Sequence, residues 1–447
     1  MDESPAAATP AGMAPIHRPS FLFSSLLTYG SQIAAAALSL VNVLVVARSL
    51  GPVGRGDVAF LTTMGFLTSQ IASLGVDQAN VNFAGRDSRL TRALAGNSVI
   101  LSLLLGACGA GAVAFLVALV PAAGGGASGG QRWLILGALP MLILNVYLTH
   151  LVIAFYGFRV VSASVLIPPT INVVANATMA LTDVISVTSA VSVWVAGQLL
   201  STGLLVWFVS ARLGGFGRPD RRLGRRAVGF GLKAHGGRVM LLGNYRLDQW
   251  ILGAVSGSRE LGLYSVAVAW SEGLFFLPNA MASAQRPDLV RAERRDAAEQ
   301  AARILRVTFL LTAILAALLL AAAPFLCTTI FGSEFEGSVD DLRLLVAGGF
   351  GIAALKMLGS ALTAQGKPLL ETAAIGVAFV MIVVLDVVLI PAYGGEGAAV
   401  AASVAYCAGG VAVALIFARA LGARARDLVP RPRDVSWFVR TLRSRLR

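Results

Sequence analysis

Charge is scarce in this chain: 13% of its residues are Asp, Glu, Lys or Arg, against 56% that are apolar. An ordinary soluble domain carries about 25% charged residues, and a disordered chain is poorer in apolar ones, so both classes drop out. Cysteine is scarce too. Cys108, Cys327 and Cys407 lie in separate apolar tracts, without metal-ligand spacing or the framework of a disulfide-rich secreted protein, and they read as packing residues. Polar stretches large enough for a further domain are missing, the longest being 211–235, 286–303 and the tail from 421. No Gly-x4-Gly-Lys-Ser/Thr loop occurs; Gly366-Lys367-Pro368 lacks the upstream glycine and the hydroxyl, which excludes a built-in nucleotide-driven motor. Residues 1–20 lack the basic start and short apolar core of a cleavable signal, so the first hydrophobic segment is expected to stay in the mature protein.

What is present is apolar sequence sufficient for about twelve spans of ~20 residues. Apolar segments fall near 21–47, 58–82, 95–120, 133–157, 160–182, 184–210, 236–256, 262–284, 304–331, 342–364, 369–391 and 397–418. They predict an all-α polytopic membrane protein of about twelve transmembrane helices. The net charge of +13 then reads as topology. With the N-terminus inside, inner segments hold 28 Lys/Arg, outer loops five and spans three, which predicts cytoplasmic N- and C-termini. By region the charge is +17 inside, −3 outside and −1 within spans. The basic excess therefore gives no reason to invoke nucleic acid.

The halves resemble each other. Gly56-Asp57-Val58-Ala59-Phe60 overlays Gly262-Leu263-Tyr264-Ser265-Val266 at an offset of 206, and Ala154-Phe155-Tyr156-Gly157-Phe158-Arg159 overlays Thr363-Ala364-Gln365-Gly366-Lys367-Pro368 near 209. Two pseudo-symmetric six-helix bundles follow, with a pseudo-axis along the membrane normal and a substrate site expected between them near the midplane. The expected organisation is a cytoplasmic tail 1–20, a bundle 21–210, a basic cytoplasmic linker 211–235, a second bundle 236–420 and a basic tail 421–447, whose end, Trp437 to Arg447, reads as an amphipathic segment or a solvated tail.

Polar stripes mark the helices expected around a cavity. Ser25, Thr28, Gln32, Ser39 and Asn42 share one face of the first span, and Thr62, Ser69, Ser73, Asp77 and Asn80 one face of the second. Ser265, Glu272, Asn279 and Ser283 do so in the eighth, while Asn244, Asp248 and Gln249 fall on a broad arc of the seventh. The charges Asp77, Arg246, Asp248, Glu272, Lys356 and Asp386 lie away from the helix ends, with Arg48 and Arg238 near the interfaces. A charge at helix centre costs about 2.5–3.5 kcal/mol on insertion scales, so such residues mark a wet pathway or a locking ion pair. Snorkelling is the simpler reading for Arg48 and Arg238. His150 has no acid near it in sequence and reads as a core histidine. Pro140, Pro168-Pro169, Pro278 and Pro324 fall within spans, where they serve as kinks or packing residues.

Four segments carry a family resemblance: Ala47-Arg48-Ser49-Leu50-Gly51-Pro52 with Gly54-Arg55-Gly56; Tyr245-Arg246-Leu247-Asp248 leading to Glu260-Leu261-Gly262-Leu263-Tyr264-Ser265-Val266-Ala267; Phe331-Gly332-Ser333-Glu334-Phe335; and Ile390-Pro391-Ala392-Tyr393-Gly394 with Gly397-Ala398-Ala399. In this order they resemble the bacterial polysaccharide and oligosaccharide flippases, whose superfamily includes the multidrug and toxin extruders. The resemblance implies a V-shaped two-bundle transporter in the bacterial cytoplasmic membrane. It implies a sugar chain on a polyprenyl diphosphate moved from inner to outer leaflet by alternating access, and a cationic cavity for the headgroup. Arg246 and Lys356, with Arg48 and Arg238, are the candidates for binding that headgroup. Asp248, Glu272, Asp77 and Asp386 are the candidates for a coupling proton or sodium ion, and Gln32, Asn42, Asn244, Gln249 and Asn279 for polar cavity lining. The partners implied are the lipid-linked oligosaccharide, the bilayer, a coupling ion and other polysaccharide-assembly proteins; no cofactor, metal or catalytic residue is expected. Lipid II flippases have fourteen spans, two more than here, which argues against that branch. The alternative is a drug or metabolite exporter of the same superfamily. A glycan polymerase or ligase fits poorly with short outer loops lacking His, and a major-facilitator transporter poorly with Gly85-Arg86-Asp87-Ser88-Arg89.

Overall fold

The computed structural model describes residues 21–429 and 431, so the N-terminal tail and the segment Trp437 to Arg447 lie outside the described residues. Within them the chain is helical and contains no strand: α1 Phe21–Ala72, α2 Val76–Arg86, α3 Thr91–Leu119, α4 Gly129–Ala154, α5 Phe158–Leu181, α6 Val187–Arg212, α7 Arg221–Val255, α8 Ser258–Ser271, α9 Gly273–Arg291, α10 Arg294–Pro324, α11 Ser338–Ala364 and α12 Pro368–Leu421. At 1.5 Å per residue, the 52 residues of α1 and the 54 of α12 would each run ~80 Å, far beyond a hydrocarbon core of ~30 Å. Each breaks at a glycine with positive φ, Gly51 (φ 66°) and Gly394 (φ 54°). The two halves of each are separate spans. Nine helical stretches among the described residues are long and apolar enough to cross a membrane. Counting α1 and α12 twice and adding α7, whose charges lower its hydropathy, gives the expected twelve.

Packing is arranged for lipid outside. In α3, Leu103, Leu104, Phe115 and Leu119 are exposed, while Asn97, Ser98, Ser102, Gly106 and Gly109 are buried. A Cβ on Gly106 would sit 2.7 Å from the Pro140 nitrogen. Small residues let helices approach closely where lipid leaves no hydrophobic drive for association. The same inversion recurs in α12, where Val380, Val384, Val387 and Val388 face outward and Ala374, Ala378, Ile382 and Asp386 inward.

The chain divides into two compact units, Met1–Val239 and Met240–Arg447. The first packs α1 on α4, α5 and α6, and α4 on α2, α3 and α6. One of its cores joins Leu94, Leu144, Leu148, Leu205 and Val209 to Leu223 of α7. The stretch 221–235, expected as linker, is therefore helix bound into the first unit, because Leu223 and Ala227 are buried while the arginines between them stay out. The second unit packs α11 on α8, α9, α10 and α12. The expected 286–303 loop is also mostly helix, with α9 running to Arg291 and α10 starting at Arg294.

Backbone conformation records the internal repeat. Positive φ occurs at Gly51 and Gly257, Gly125 and Gly332, Tyr156 and Gly366, Asp183 and Gly394, and Gly214 and Gly422, at offsets of 206 to 211. Each pair marks the same junction in the two halves. Burial fixes the register of α5 against α12: Ser164, Pro168, Asn172 and Asn176 are buried, and so are Ala374, Ala378, Ile382 and Asp386, each 210 residues further on.

Candidate functional site

In the first unit the site starts from a broken helix. Between α1 and α2 the chain turns through Leu74 (φ 50°) and Gly75 (φ 69°), which leaves the Ile71 and Ser73 carbonyls with only long backbone bonds, 3.5 Å from Leu74 N and 3.2 Å from Val76 N, where the membrane offers no water. Tyr147 OH donates to Ser73 O at 2.7 Å, and His235 Nε2 donates to Ile71 O at 2.9 Å. The helix α7 reaches this turn because Gly231 lies on Gly75, where a Cβ on Gly231 would stand 2.5 Å from the Gly75 carbonyl atoms. Gly231, His235 and Arg238 are spaced four and three apart and share one face. Arg238 is thereby brought to Asp77 in the first turn of α2, where the helix dipole favours a carboxylate.

Asp77 is fully buried. Its Oδ2 accepts from Arg238 Nη1 at 2.5 Å and from Gln78 Nε2 at 2.9 Å, while Arg238 Nη2 donates to Gln70 Oε1 at 2.7 Å. This corrects two readings. Arg238 is a partner of Asp77 rather than a snorkelling cation, and His150 does have an acid, with its Nε2 3.4 Å from Asp77 Oδ2. Sequence spacing could not show either pairing, since the residues stand 161 and 73 positions from Asp77. His150 Nδ1 lies 3.0 Å from the Val146 carbonyl, which requires a proton on Nδ1.

Of the other first-unit candidates, Arg48 and Gln32 are exposed on α1, whereas Asn42 is part-buried and its Oδ1 accepts from Asn176 Nδ2 at 2.8 Å. The sequence reading missed Asn176.

The second unit gathers more charge. Arg246 Nη1 donates to Glu272 Oε1 at 2.6 Å, and Glu272 stands where α8 gives way to α9. Asp248 faces elsewhere, as its two-residue spacing from Arg246 requires: its Oδ2 accepts from Tyr264 OH at 2.5 Å and its Oδ1 from the Gln249 amide at 2.7 Å. Asp386 is fully buried, and among the described residues neither of its carboxylate oxygens has a hydrogen-bond donor. It is close enough to Asp248 for their charges to interact. Under the repeat these two carboxylates are the counterparts of Asn42 and Asn176. The first unit thus fills the position with two amides joined by one hydrogen bond, and the second places two acids there.

Lys356 Nζ sits 5.4 Å from the centre of the Tyr245 ring, and that ring forms a triangle with Phe275 and Tyr406 in which the centres are about 6 Å apart. It borders a cavity of about 50 Å³ with Asn244, Tyr245, Glu371 and Tyr406. Asn244 donates to Ile375 O at 3.3 Å, and its backbone carbonyl accepts from Tyr406 OH at 2.6 Å. Gln249 is buried and Asn279 part-buried on α9. Tyr264, Tyr406 and Glu371 were not identified as site residues from sequence; the α5–α12 register would have flagged Asn176, but nothing in the linear pattern flags the tyrosines.

Among the described residues, twelve helices able to span a membrane, in a duplicated arrangement with ion pairs and orphaned polar groups sunk among them, define a polytopic membrane protein. A family profile described as polysaccharide biosynthesis protein matches residues 45–340, and the chain belongs to that family. Among solved structures it is similar to a lipid II flippase MurJ in an inward closed conformation, with 13% identity, 91% of this chain and 89% of that one covered, and a TM-score of 0.73. It is also similar to an inward-facing multidrug resistance MATE transporter of the MOP superfamily, with 15% identity, 87% and 94% coverage and a TM-score of 0.67. A third is a MOP superfamily transporter from Pyrococcus furiosus, described as having a binding pocket of reverse polarity, with 13% identity, 90% and 95% coverage and a TM-score of 0.57. At these identities the likeness is one of fold. Comparison with curated proteins gives no match.

Proposed function

We propose that this protein is a flippase that moves a polyprenyl-diphosphate-linked oligosaccharide from the inner to the outer leaflet of the bacterial cytoplasmic membrane for cell-surface polysaccharide synthesis, with both termini cytoplasmic. The reading is of a transporter, not an enzyme. The observation that carries it is Lys356: in a polysaccharide-biosynthesis family member, an ammonium on a spanning helix faces a small cavity with an aromatic ring beside it and, among the described residues, no carboxylate oxygen within 4 Å. A cation left this way in low dielectric calls for an anion, and a diphosphate headgroup supplies one through charge-assisted hydrogen bonds. Arg246 joins it by exchanging Glu272 for phosphate.

The driving ion belongs on Asp248 and Asp386. Asp386, a buried carboxylate without a donor among the described residues, is very costly unless a cation neutralises it, and the negative charge of Asp248 adds to that need. A proton or a sodium ion on this pair supplies the coupling, in the position that the first unit fills with amides. Asp77, tied to Arg238, serves to lock α2 to α7.

Deletion of the gene followed by lipid extraction tests the reading: an inner-leaflet glycolipid should accumulate and surface glycan disappear, and absence of accumulation overturns it. One observation favours a second reading, a drug or metabolite exporter. The second unit holds three intramembrane acids, Asp248, Glu272 and Asp386, against two cations, Arg246 and Lys356. Under that reading Arg246→Met and Lys356→Met leave surface glycan intact and alter drug resistance.

A further inference from the structure

The first unit contains a cavity of about 390 Å³ among α1, α4, α5, α6 and α7, within the ~300–1,000 Å³ range of small-ligand sites. Its wall is unusual for the inside of a membrane bundle. The amides of Asn145, Asn172 and Gln198, the Thr149 hydroxyl and the Trp194 ring line it, where helix packing alone is satisfied by small apolar residues. Much of this polarity is not used up internally. Asn172 is only 7% exposed, and its Oδ1 has no hydrogen-bond partner among the described residues. Asn145 commits Nδ2 to Ser201 Oγ at 3.0 Å and Thr202 Oγ1 at 3.1 Å, which leaves its Oδ1 to accept from an occupant.

Charge identifies the occupant's class. The ionic groups bordering the cavity are Arg238 and His150, and both face Asp77. Arg238 pairs with that carboxylate, and His150 turns Nε2 to the same carboxylate and Nδ1 to Val146 O. Among the described residues no cation is left over for a phosphate and no acid for an organic cation. What remains is a neutral set of paired donors and acceptors on amides and hydroxyls, with one aromatic face. A ligand matching it is uncharged, carries hydroxyls that both donate and accept, and has a C–H face to lay on an indole.

We propose that the cavity of the first unit is a glycan subsite that takes an uncharged sugar residue of the transported molecule, separate from the headgroup position at Arg246 and Lys356. This rests on the flippase reading and adds to it the sorting of one substrate's two chemistries. Asn172 Oδ1 and Asn145 Oδ1 accept from sugar hydroxyls, Gln198 and Thr149 donate and accept along the ring edge, and Trp194 packs against the C–H face.

The test uses the full chain. A deletion strain is complemented with wild type, Asn172→Leu, Gln198→Leu or Trp194→Leu, and surface glycan and inner-leaflet glycolipid are measured alongside protein amount and melting temperature in membranes. The purified proteins in nanodiscs are titrated with inorganic pyrophosphate. Losing one bond to a buried partner is expected to cut export roughly tenfold, with pyrophosphate affinity unchanged within about twofold. Gln198 and Trp194 are only part-buried, so their variants keep the test valid should Asn172→Leu fail to accumulate. Export at wild-type level in all three variants means the cavity holds water only and overturns the proposal. An equal fall in pyrophosphate affinity places the headgroup here and also overturns it. Failure of wild type itself to restore export sinks the flippase reading, which is a separate result.

Discussion

Replacing Asp248 and Asp386 together by asparagine should rebuild in the second unit the neutral pair that Asn42 and Asn176 form in the first. There, one amide donates to the other at 2.8 Å, so the pair carries its own proton. The acids have none to share: Asp248 already uses both oxygens on Tyr264 and the Gln249 amide, and Asp386 has no donor among the described residues. Under the proposed coupling the wild type depends on a bound cation, and mass action sets the size of that dependence. An ion present at one hundred times its Kd stabilises by about 2.7 kcal/mol, which for a unit of this size shifts melting by roughly 5–10 °C. The assay is melting of the full chain in nanodiscs with sodium against N-methylglucamine at pH 8, and at pH 5.5 without sodium. Wild type should melt higher with sodium if that is the ion, or on acidification if it is a proton, since an ion bound by the folded form alone stabilises it. The double variant should respond to neither within about a degree. It should also lose ion-driven export while keeping its fold, because the amide oxygen introduced by Asp248→Asn can still accept from Tyr264. A wild type indifferent to both ions, or a double variant that responds as strongly, refutes the reasoning.

Other consequences can be measured on the same preparations. Arg238→Met strands the buried Asp77 charge and should destabilise by about 3–5 kcal/mol, whereas Arg238→Met with Asp77→Asn should recover most of that in a double-mutant cycle by denaturant unfolding. Gly231→Ala sets a Cβ 2.5 Å from the Gly75 carbonyl, an overpacking worth about 1–3 kcal/mol, and should loosen α2 so that a cysteine introduced at Asp77 becomes reactive to a water-soluble thiol reagent; unchanged melting would contradict the close helix approach. Tyr147→Phe removes the donor to Ser73 O and should cost about 1–3 kcal/mol. Lys356→Met should weaken pyrophosphate binding about tenfold, corresponding to ~1.4 kcal/mol, and an unchanged isotherm would remove Lys356 from the headgroup site.

The helices were legible because membrane insertion demands ~20 apolar residues in a row, and the duplication because turn positions recur in the chain. Two stretches misled for one reason. Residues 221–235 and 286–303 look like loops by hydropathy, yet a polar helix with a single buried line of Leu223 and Ala227 is stable once a bundle covers that line. The charged residues could be picked out because each is costly in lipid. Their partners could not. Arg238 meets Asp77 only because Gly75 and Gly231 let two backbones touch, and a contact 161 residues apart leaves no trace in local periodicity. Asp386 stood out in the sequence only as one intramembrane charge among several; its register against Asn176 and its bare carboxylate are properties of packing.

The divergence of the two units is more informative than their likeness. Five junctions keep the same left-handed backbone in both halves, so the scaffold tolerates one geometry twice. At the shared inner position the first unit has amides and the second has acids, and beside the Asp77–Arg238 ion pair the first unit keeps a cavity bordered by no acid among the described residues. A buried charge costs more than an amide that already has its partner, so a fold needing only rigidity would carry Asn at both places, as the first half shows is structurally sufficient. The acids of the second half, and a Lys356 ammonium without an ion pair among the described residues, are thus in excess of what the fold requires. They point to the anionic headgroup and the driving ion being handled in the second unit, and the uncharged part of the substrate in the first. Swapping the polar sets is the sharpest way to break this division: Asn42→Asp with Asn176→Asp should give the first unit an ion-dependent melting response while abolishing export, because the charge would then be bound by the wrong half.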